Sequence, residues 1–336
     1  MKILHTADWH LGQTFYEYDR REEHFHFLEW LKQQIKQHEI DVLLIAGDVF
    51  DSPNPSAESQ RVYYRFLREV TSENPSLQIV IIAGNHDSAA RLEAPNPLLE
   101  DMNIIVRGTV RRNAEGDIDL QHFIVPLYTE GKVTAYCLAV PYLRQGDYPS
   151  AENYSKGVQQ LYEQLFNKVK EKGIPVVVMG HLQATGSEIS EDDRSERTVI
   201  GGLECVSPDA FNEAITYTAL GHLHRSQRVS HRENVRYSGT PMPMSFAEKN
   251  NASGVVMITI DTEGTNIEKL EFQPLAGLVS IPPEARPLEE VLQVIGELPD
   301  GDVTLRSPYL EIKILMTEPE PSYKYKIEEA LKGKAV

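Results

Sequence analysis

Five short stretches of this chain carry side chains able to hold metal ions. They are Asp8-Trp9-His10, Gly47-Asp48-Val49-Phe50-Asp51, Gly84-Asn85-His86-Asp87, Gly180-His181 and Gly221-His222-Leu223-His224. Imidazole nitrogens mixed with carboxylate and amide oxygens suit manganese, iron or zinc. Such ions make a nucleophile at neutral pH, because they lower the pKa of a bound water from about 15.7 to as low as about 7. At about 1.36 kcal/mol per unit, that shift is worth roughly 12 kcal/mol of ionisation free energy. A helix terminus beside the substrate offers only about 0.3–1 kcal/mol, so metal chemistry must dominate any hydrolysis here. A lone buried histidine is more often a hydrogen-bonded core residue, and Asn85-His86-Asp87 alone reads as a turn. Five such stretches together reverse that reading. The other six histidines (His5, His24, His26, His38, His122 and His231) are expected to have packing or surface roles.

Positioning falls to five apolar runs rich in β-branched residues, each ending in a small residue followed at once by a ligand type. Lys2–Thr6 precedes Ala7-Asp8, Asp41–Ala46 precedes Gly47-Asp48, and Gln78–Ala83 precedes Gly84-Asn85. Ile174–Met179 and Ile215–Leu220 lead into Gly180-His181 and Gly221-His222 in the same way. Helical patterns over Glu22–Gln37, Glu58–Val70 and Tyr154–Lys172 separate them. Alternating strands and helices predict an α/β domain whose ligands sit beyond the carboxyl ends of the strands. Glycine before a ligand permits a sharp turn and a close backbone approach.

Composition bounds the rest. The 336 residues exceed one average domain, which predicts a main domain with a smaller C-terminal one. No apolar run approaches a membrane span, and the N-terminus lacks a signal peptide's apolar stretch. Cys137 and Cys205 have neither metal nor redox spacing, so a reducing cytoplasm is expected. The net charge of −17 argues against gripping nucleic acid by bulk electrostatics.

In order and spacing, the five stretches resemble the signature of the calcineurin-like metallophosphoesterases. Asp8–Gly12, Gly47–Ser52, Gly201–Glu204 and Tyr237–Pro241 further resemble its double-strand-break repair nucleases, across essentially the whole chain. The resemblance implies a four-layer αββα sandwich over residues 1–275 and a small α/β capping domain over 276–336. It assigns Asp8, His10, Asp48 and His224 to one ion, and Asp48, Asn85, His181 and His222 to a second, with Asp48 bridging. Four imidazoles among these seven ligands argue against magnesium, which prefers oxygen. Manganese is the metal that the resemblance implies.

His86 is expected to donate a hydrogen bond or proton to the phosphate or leaving oxygen, the alternative being an orienting role. Some relatives carry histidine in place of Asp51, which leaves Asp51 as either a neighbour that orients a ligand or a simple loop residue; Asp87 is a further orienting candidate. Arg225 and Arg228 follow the last ligands, either to meet a DNA backbone or as solvated surface. Prolines at 274, 282, 283 and 287 mark a candidate boundary, and a helix begun at Tyr323 is expected to run into the chain end, as in a truncated capping domain. The capping domain would position DNA or serve as a structural appendage.

The resemblance further implies a homodimer with an SMC-like ATPase partner, acting in DNA repair, recombination and replication. Its activities would be exonuclease on double-stranded ends and endonuclease on single strands or hairpins. The rival readings are a phosphoesterase for small phosphoesters or phosphoproteins, which the acidic charge favours, and a non-catalytic docking subunit.

Overall fold

Alternating side chains along the apolar strands divide one hydrophobic run between two cores. In Val42–Ala46, Val42, Leu44 and Ala46 face one way, and Leu43 and Ile45 the other. In Gln78–Ile82, Val80 and Ile82 oppose Ile79 and Ile81 in the same manner. Strands buried on both faces read as continuous apolar runs, which is why these were the easiest to find.

The computed structural model describes residues 1–187, 205–316 and 318–336, so the Gly201–Glu204 stretch lies outside the described residues. By contacts the chain forms two units, one of Met1–Met244 and Asn251–Gln273, the other of Ser245–Asn250 and Pro274–Val336.

The first unit holds two six-stranded mixed sheets. One runs, edge to edge, Thr265–Glu271, Gly254–Ile260, Lys2–Thr6, Val42–Ala46, Gln78–Ile82 and Ile104–Arg107. The other runs Gln227–Val229, Arg232–Tyr237, Tyr217–Gly221, Val176–His181, Lys132–Ala139 and Ile124–Thr129. Each sheet has four mutually parallel strands. Ile3, Leu44 and Val80 of the first sheet pack against Val177, Met179 and Ala219 of the second. The helices Arg21–His38 and Ala57–Glu73 cover the outer face of the first sheet through Phe27, Leu31, Tyr63 and Phe66. The helix Tyr154–Val169 covers the second through Val158, Leu161 and Leu165. Helix, sheet, sheet and helix make the expected four layers.

Between the sheets lies His5, whose Nδ1 is 2.9 Å from the Tyr217 hydroxyl. Burial lowers its pKa to about 3, and burial followed by the nearby Arg20 charge lowers that of His24 to about 4. Both folded values lie below the unfolded one, so the stability they contribute is complete above pH 6.5. It is lost as the pH falls through 6.5 toward the folded values, by about 1.4 kcal/mol per unit for each residue. Denaturant titrations at pH 7.5 and 5.0 should therefore show His5→Gln losing roughly 2 kcal/mol less than the parent between the two. Equal losses in parent and variant would show that His5 does not titrate with unfolding.

In the second unit, Leu278–Arg286 and Tyr309–Ile314 pair in parallel through the crossover helix Leu288–Gly296. Ile281, Val291, Ile295 and Ile327 form its core. Two expectations are corrected here. Pro282 and Pro283 fall inside a strand rather than at a boundary, where the register shifts between Ile281 and Arg286. A two-stranded sheet has an open edge, which accommodates residues without a donor. The helix Tyr323–Leu331 also stops short of the chain end, and left-handed Gly333 leads into a bridge between Lys334 and Asp300.

Among the described residues, no helix is long and apolar enough to cross a membrane.

Candidate metal centre

Two of the three ligand loops of the first sheet have unusual backbone geometry, as does one of the second sheet. Asp8, His10 and Asp48 have φ of 55°, 46° and 48°, and His222 has φ of 102°. Left-handed backbone is uncommon outside glycine and costs on the order of 1–3 kcal/mol per residue. Cross-bonding holds it in place: Asp8 N–H donates to Gly47 O (3.0 Å), His10 N–H to Asp48 O (3.0 Å) and Leu11 N–H to Val49 O (2.9 Å). His222 N–H donates to both Asp8 carboxylate oxygens, at 3.0 and 3.2 Å, and so joins the second sheet to the first.

The side chains converge from all five strand ends. Ligand atoms of Asp8, His10 and His224 lie within 4.8 Å of one another, as do those of Asp8, Asp48 and His181, and those of His10, Asp48 and His86. Asn85 Oδ1 is 2.9 Å from His181 Nε2 and 3.0 Å from His222 Nδ1. His181 Nδ1 is held by Ala46 O at 2.8 Å, which turns Nε2 toward the other ligands. Asp48 lies at the meeting point. Its Oδ1 accepts from His86 N–H (2.8 Å), while Oδ2 stands 3.3 Å from His181 Nε2 and 3.8 Å from His10 Nε2.

These residues fit divalent cations. Asp48 Oδ2 and His10 Nε2 are buried and make no hydrogen bond, although they face each other. A native structure rarely orphans such atoms without something to bind. The electrostatics agree. Burial would raise the Asp48 pKa, yet the adjacent His181 charge outweighs it and holds the carboxyl below its usual range. Burial would lower that of His181, and the Asp48 charge instead lifts it to about 10. Asp8 is pushed up to about 6, chiefly by burial. The buried carboxylates thus favour positive charge beside them, as divalent cations would supply.

Supporting residues follow. The buried Asp87 carboxylate accepts from Gly84 N–H (2.9 Å), Phe50 N–H (3.0 Å) and Val49 N–H (3.2 Å), which ties two ligand loops together. Asp51 places Oδ1 3.3 Å from His10 Nδ1, and its backbone carbonyl accepts from His86 Nδ1 (2.9 Å). Three bracing residues, His24, Thr240 and Tyr237, gave no chemical signal in the sequence. His24 Nε2 is bonded to Trp9 O (3.0 Å), Thr240 Oγ1 donates to Asp8 O (2.9 Å), and Thr240 N–H donates to His224 O (3.0 Å). The Tyr237 hydroxyl donates to Leu182 O and accepts from Ala184 N–H, both at 2.8 Å, just past His181. The Tyr237–Pro241 stretch, notable in the sequence only for its resemblance, acts here as a clasp behind three ligand loops, at Asp8, at Leu182 and Ala184 past His181, and at His224. Arg225 is exposed, and Arg228 pairs with Glu233, which Arg236 also contacts at 2.5 Å.

Residues 1–226 match the calcineurin-like phosphoesterase family. The chain is 36% identical over 348 residues to SbcD, the D component of the SbcCD nuclease, of Rhodobacter capsulatus, covering 99% of this chain and 85% of the relative. It is 32% identical to that of Escherichia coli K12, over 83% of this chain and 70% of the relative. For Bacillus subtilis the figures are 30%, 77% and 66%. With a site built at five strand ends between two sheets, the chain belongs to the calcineurin-like phosphoesterase family, among the SbcD components of SbcCD nucleases.

Proposed function

We propose that the protein is a manganese-dependent DNA nuclease that hydrolyses phosphodiesters at a two-metal centre. It would act in the cytoplasm as a homodimer with an SbcC-like, SMC-type ATPase, in repair and recombination. The observation that supports the reading is the Asp48 carboxylate, whose Oδ2 stands 3.8 Å from His10 Nε2 and 3.3 Å from His181 Nε2, with His181 Nε2 in turn 2.9 Å from Asn85 Oδ1. One ion would be held by Asp8, His10, Asp48 and His224, the other by Asp48, Asn85, His181 and His222. When bound, the ions supply an acidified water and neutralise charge on the phosphoryl oxygens. The 276–336 segment would cap the DNA.

His86 is the residue for the leaving oxygen. Its Nδ1 bond to Asp51 O fixes the ring, and its backbone N–H secures Asp48. His86→Ala should lower cleavage by about 10²–10⁴-fold, the usual worth of a proton donor. Metal content measured beside the rate should stay at two equivalents; loss of metal in proportion to activity would leave His86 only an orienting role.

The net charge is −17, and among the described residues Arg228, close in sequence to the last ligands, is paired with Glu233. DNA would then be held largely by the ATPase partner. The same charge favours the rival reading, a phosphoesterase for small substrates. Linear duplex DNA, a DNA hairpin and a small chromogenic diester, each with manganese, separate the two. DNA cleavage by the chain alone supports the nuclease. Hydrolysis of the small diester alone, persisting after the ATPase partner is added, overturns it.

A further inference from the structure

Thr240 ties together two of the proposed ligands that come from different sheets. Its Oγ1 lies 2.9 Å from both Asp8 O and Met242 O, and its N–H donates to His224 O at 3.0 Å. Asp8 lies just past Lys2–Thr6 of one sheet, and His224 just past Tyr217–Gly221 of the other. Thr240, Asp8 and His224 are all buried. The approach is close: a Cβ at the preceding Gly239, whose φ is 77°, would stand 2.6 Å from both His224 O and Ser226 N. The far end of the segment is anchored as well. Arg20, paired through Nε and Nη2 with Glu23 at 2.9 and 2.8 Å, donates from Nη1 to Pro243 O at 2.5 Å. Pro241 and Pro243 restrict the backbone between these anchors.

These contacts are unevenly shared between the two proposed ligand sets. Asp8 and His224 both belong to the set that also contains His10 and Asp48. Among the described residues, Thr240 makes no hydrogen bond to Asn85, His181 or His222. His222 meets Asp8 through the carboxylate, not through the carbonyl that Thr240 holds. Asp8 sits in left-handed backbone, with φ of 55°, so the partner of its carbonyl helps to fix where its carboxylate points. We propose that Thr240 is a positioning residue that sets the affinity of one ion, the one assigned to Asp8, His10, Asp48 and His224, and that the other ion is independent of it. With the hydroxyl gone, the buried Asp8 O loses that donor, and the strained loop loses a restraint on its ligand. The proposal rests on the two-ion reading of the centre and not on the nature of the substrate.

The test is a manganese titration of the metal-free full chain, as the parent, Thr240→Val and Thr240→Ser, with bound metal counted at each step. Valine keeps the shape and the N–H bond to His224 and removes the hydroxyl, whereas serine keeps the hydroxyl. The parent should bind two equivalents. In Thr240→Val one of them should weaken by about 10–100-fold, the usual effect of losing a group that orients a metal ligand, while the other stays within about a factor of three. Thr240→Ser should recover most of that loss. In a His10→Ala background, which removes a ligand of the affected ion alone, adding Thr240→Val should leave the remaining equivalent unchanged. Thr240→Ala takes the place of Thr240→Val if thermal unfolding shows that the latter does not fold. Parental affinity for both ions, or equal weakening of both, overturns the proposal. So does a Thr240→Ser protein as weak as Thr240→Val, or a further loss in the His10→Ala background. A parent that binds fewer than two equivalents overturns the two-ion reading, and the proposal with it.

Discussion

Asp48→Ala should abolish hydrolysis of every substrate, by about 10³-fold or more, and reduce bound metal below two equivalents. Its carboxylate faces both halves of the centre: Oδ2 lies between His10 and His181, and Oδ1 fixes the His86 backbone. A bound metal supplies several kcal/mol of charge stabilisation in the transition state, and each 1.36 kcal/mol is a factor of ten in rate. On the proposed ligand set Asp48 is the one residue assigned to both ions, so removing it should cost more than removing a ligand assigned to one. Metal analysis after dialysis, with rates on DNA and on a small diester, is the measurement. A variant that keeps two equivalents of metal would show that Asp48 does not bridge. The fold itself should survive in part, because the loop remains tied to Asp87 through Val49 and Phe50.

Gly84→Ala should come close to that loss without touching a ligand. A Cβ at Gly84 would stand 2.1 Å from Asp48 Oδ1 and 2.4 Å from Asp48 N, where no relaxation of one side chain suffices. The 48 loop must move, and Asp87, which accepts from Gly84 N–H, must move with it. Overpacking of this kind costs about 1–3 kcal/mol of stability. A displacement of about 1 Å in a catalytic group costs on the order of 10²-fold in rate. We expect both effects, with weakened metal affinity, measured by thermal unfolding and by metal titration. Gly277→Ala is the control, since a Cβ there meets nothing within 4 Å, and it should leave both unchanged. A Gly84→Ala protein with parental metal affinity and rate would show that the approach to Asp48 is dispensable.

The ligand types, and the strands that end in them, were legible along the chain. Lys2–Thr6 has the bounds its apolar pattern predicts, and the helices around Phe27 and Tyr63 fall where their periodicity places them. These elements bury a complete face, so the local pattern carries the signal. Strands with a solvated face were missed. Arg232–Tyr237 buries only Val235 and Tyr237 fully, and its arginines read as surface charge rather than as a pleated edge. Lys132–Ala139 starts exposed and ends buried, so neither half shows a full period. The prolines at 282 and 283 read as a break because nothing local announces the open edge that accepts them.

Within the site, the sequence determined which atoms are available, and only the tertiary structure decided which of them meet. His222 reaches Asp8 across 214 residues of chain, and Thr240 reaches it across 232. Those contacts exist because two sheets pack face to face and bring five strand ends to one edge. The glycine at 84 has the same origin: its lack of a side chain answers the Asp48 carboxylate on the neighbouring strand's loop, a steric demand that no local pattern records.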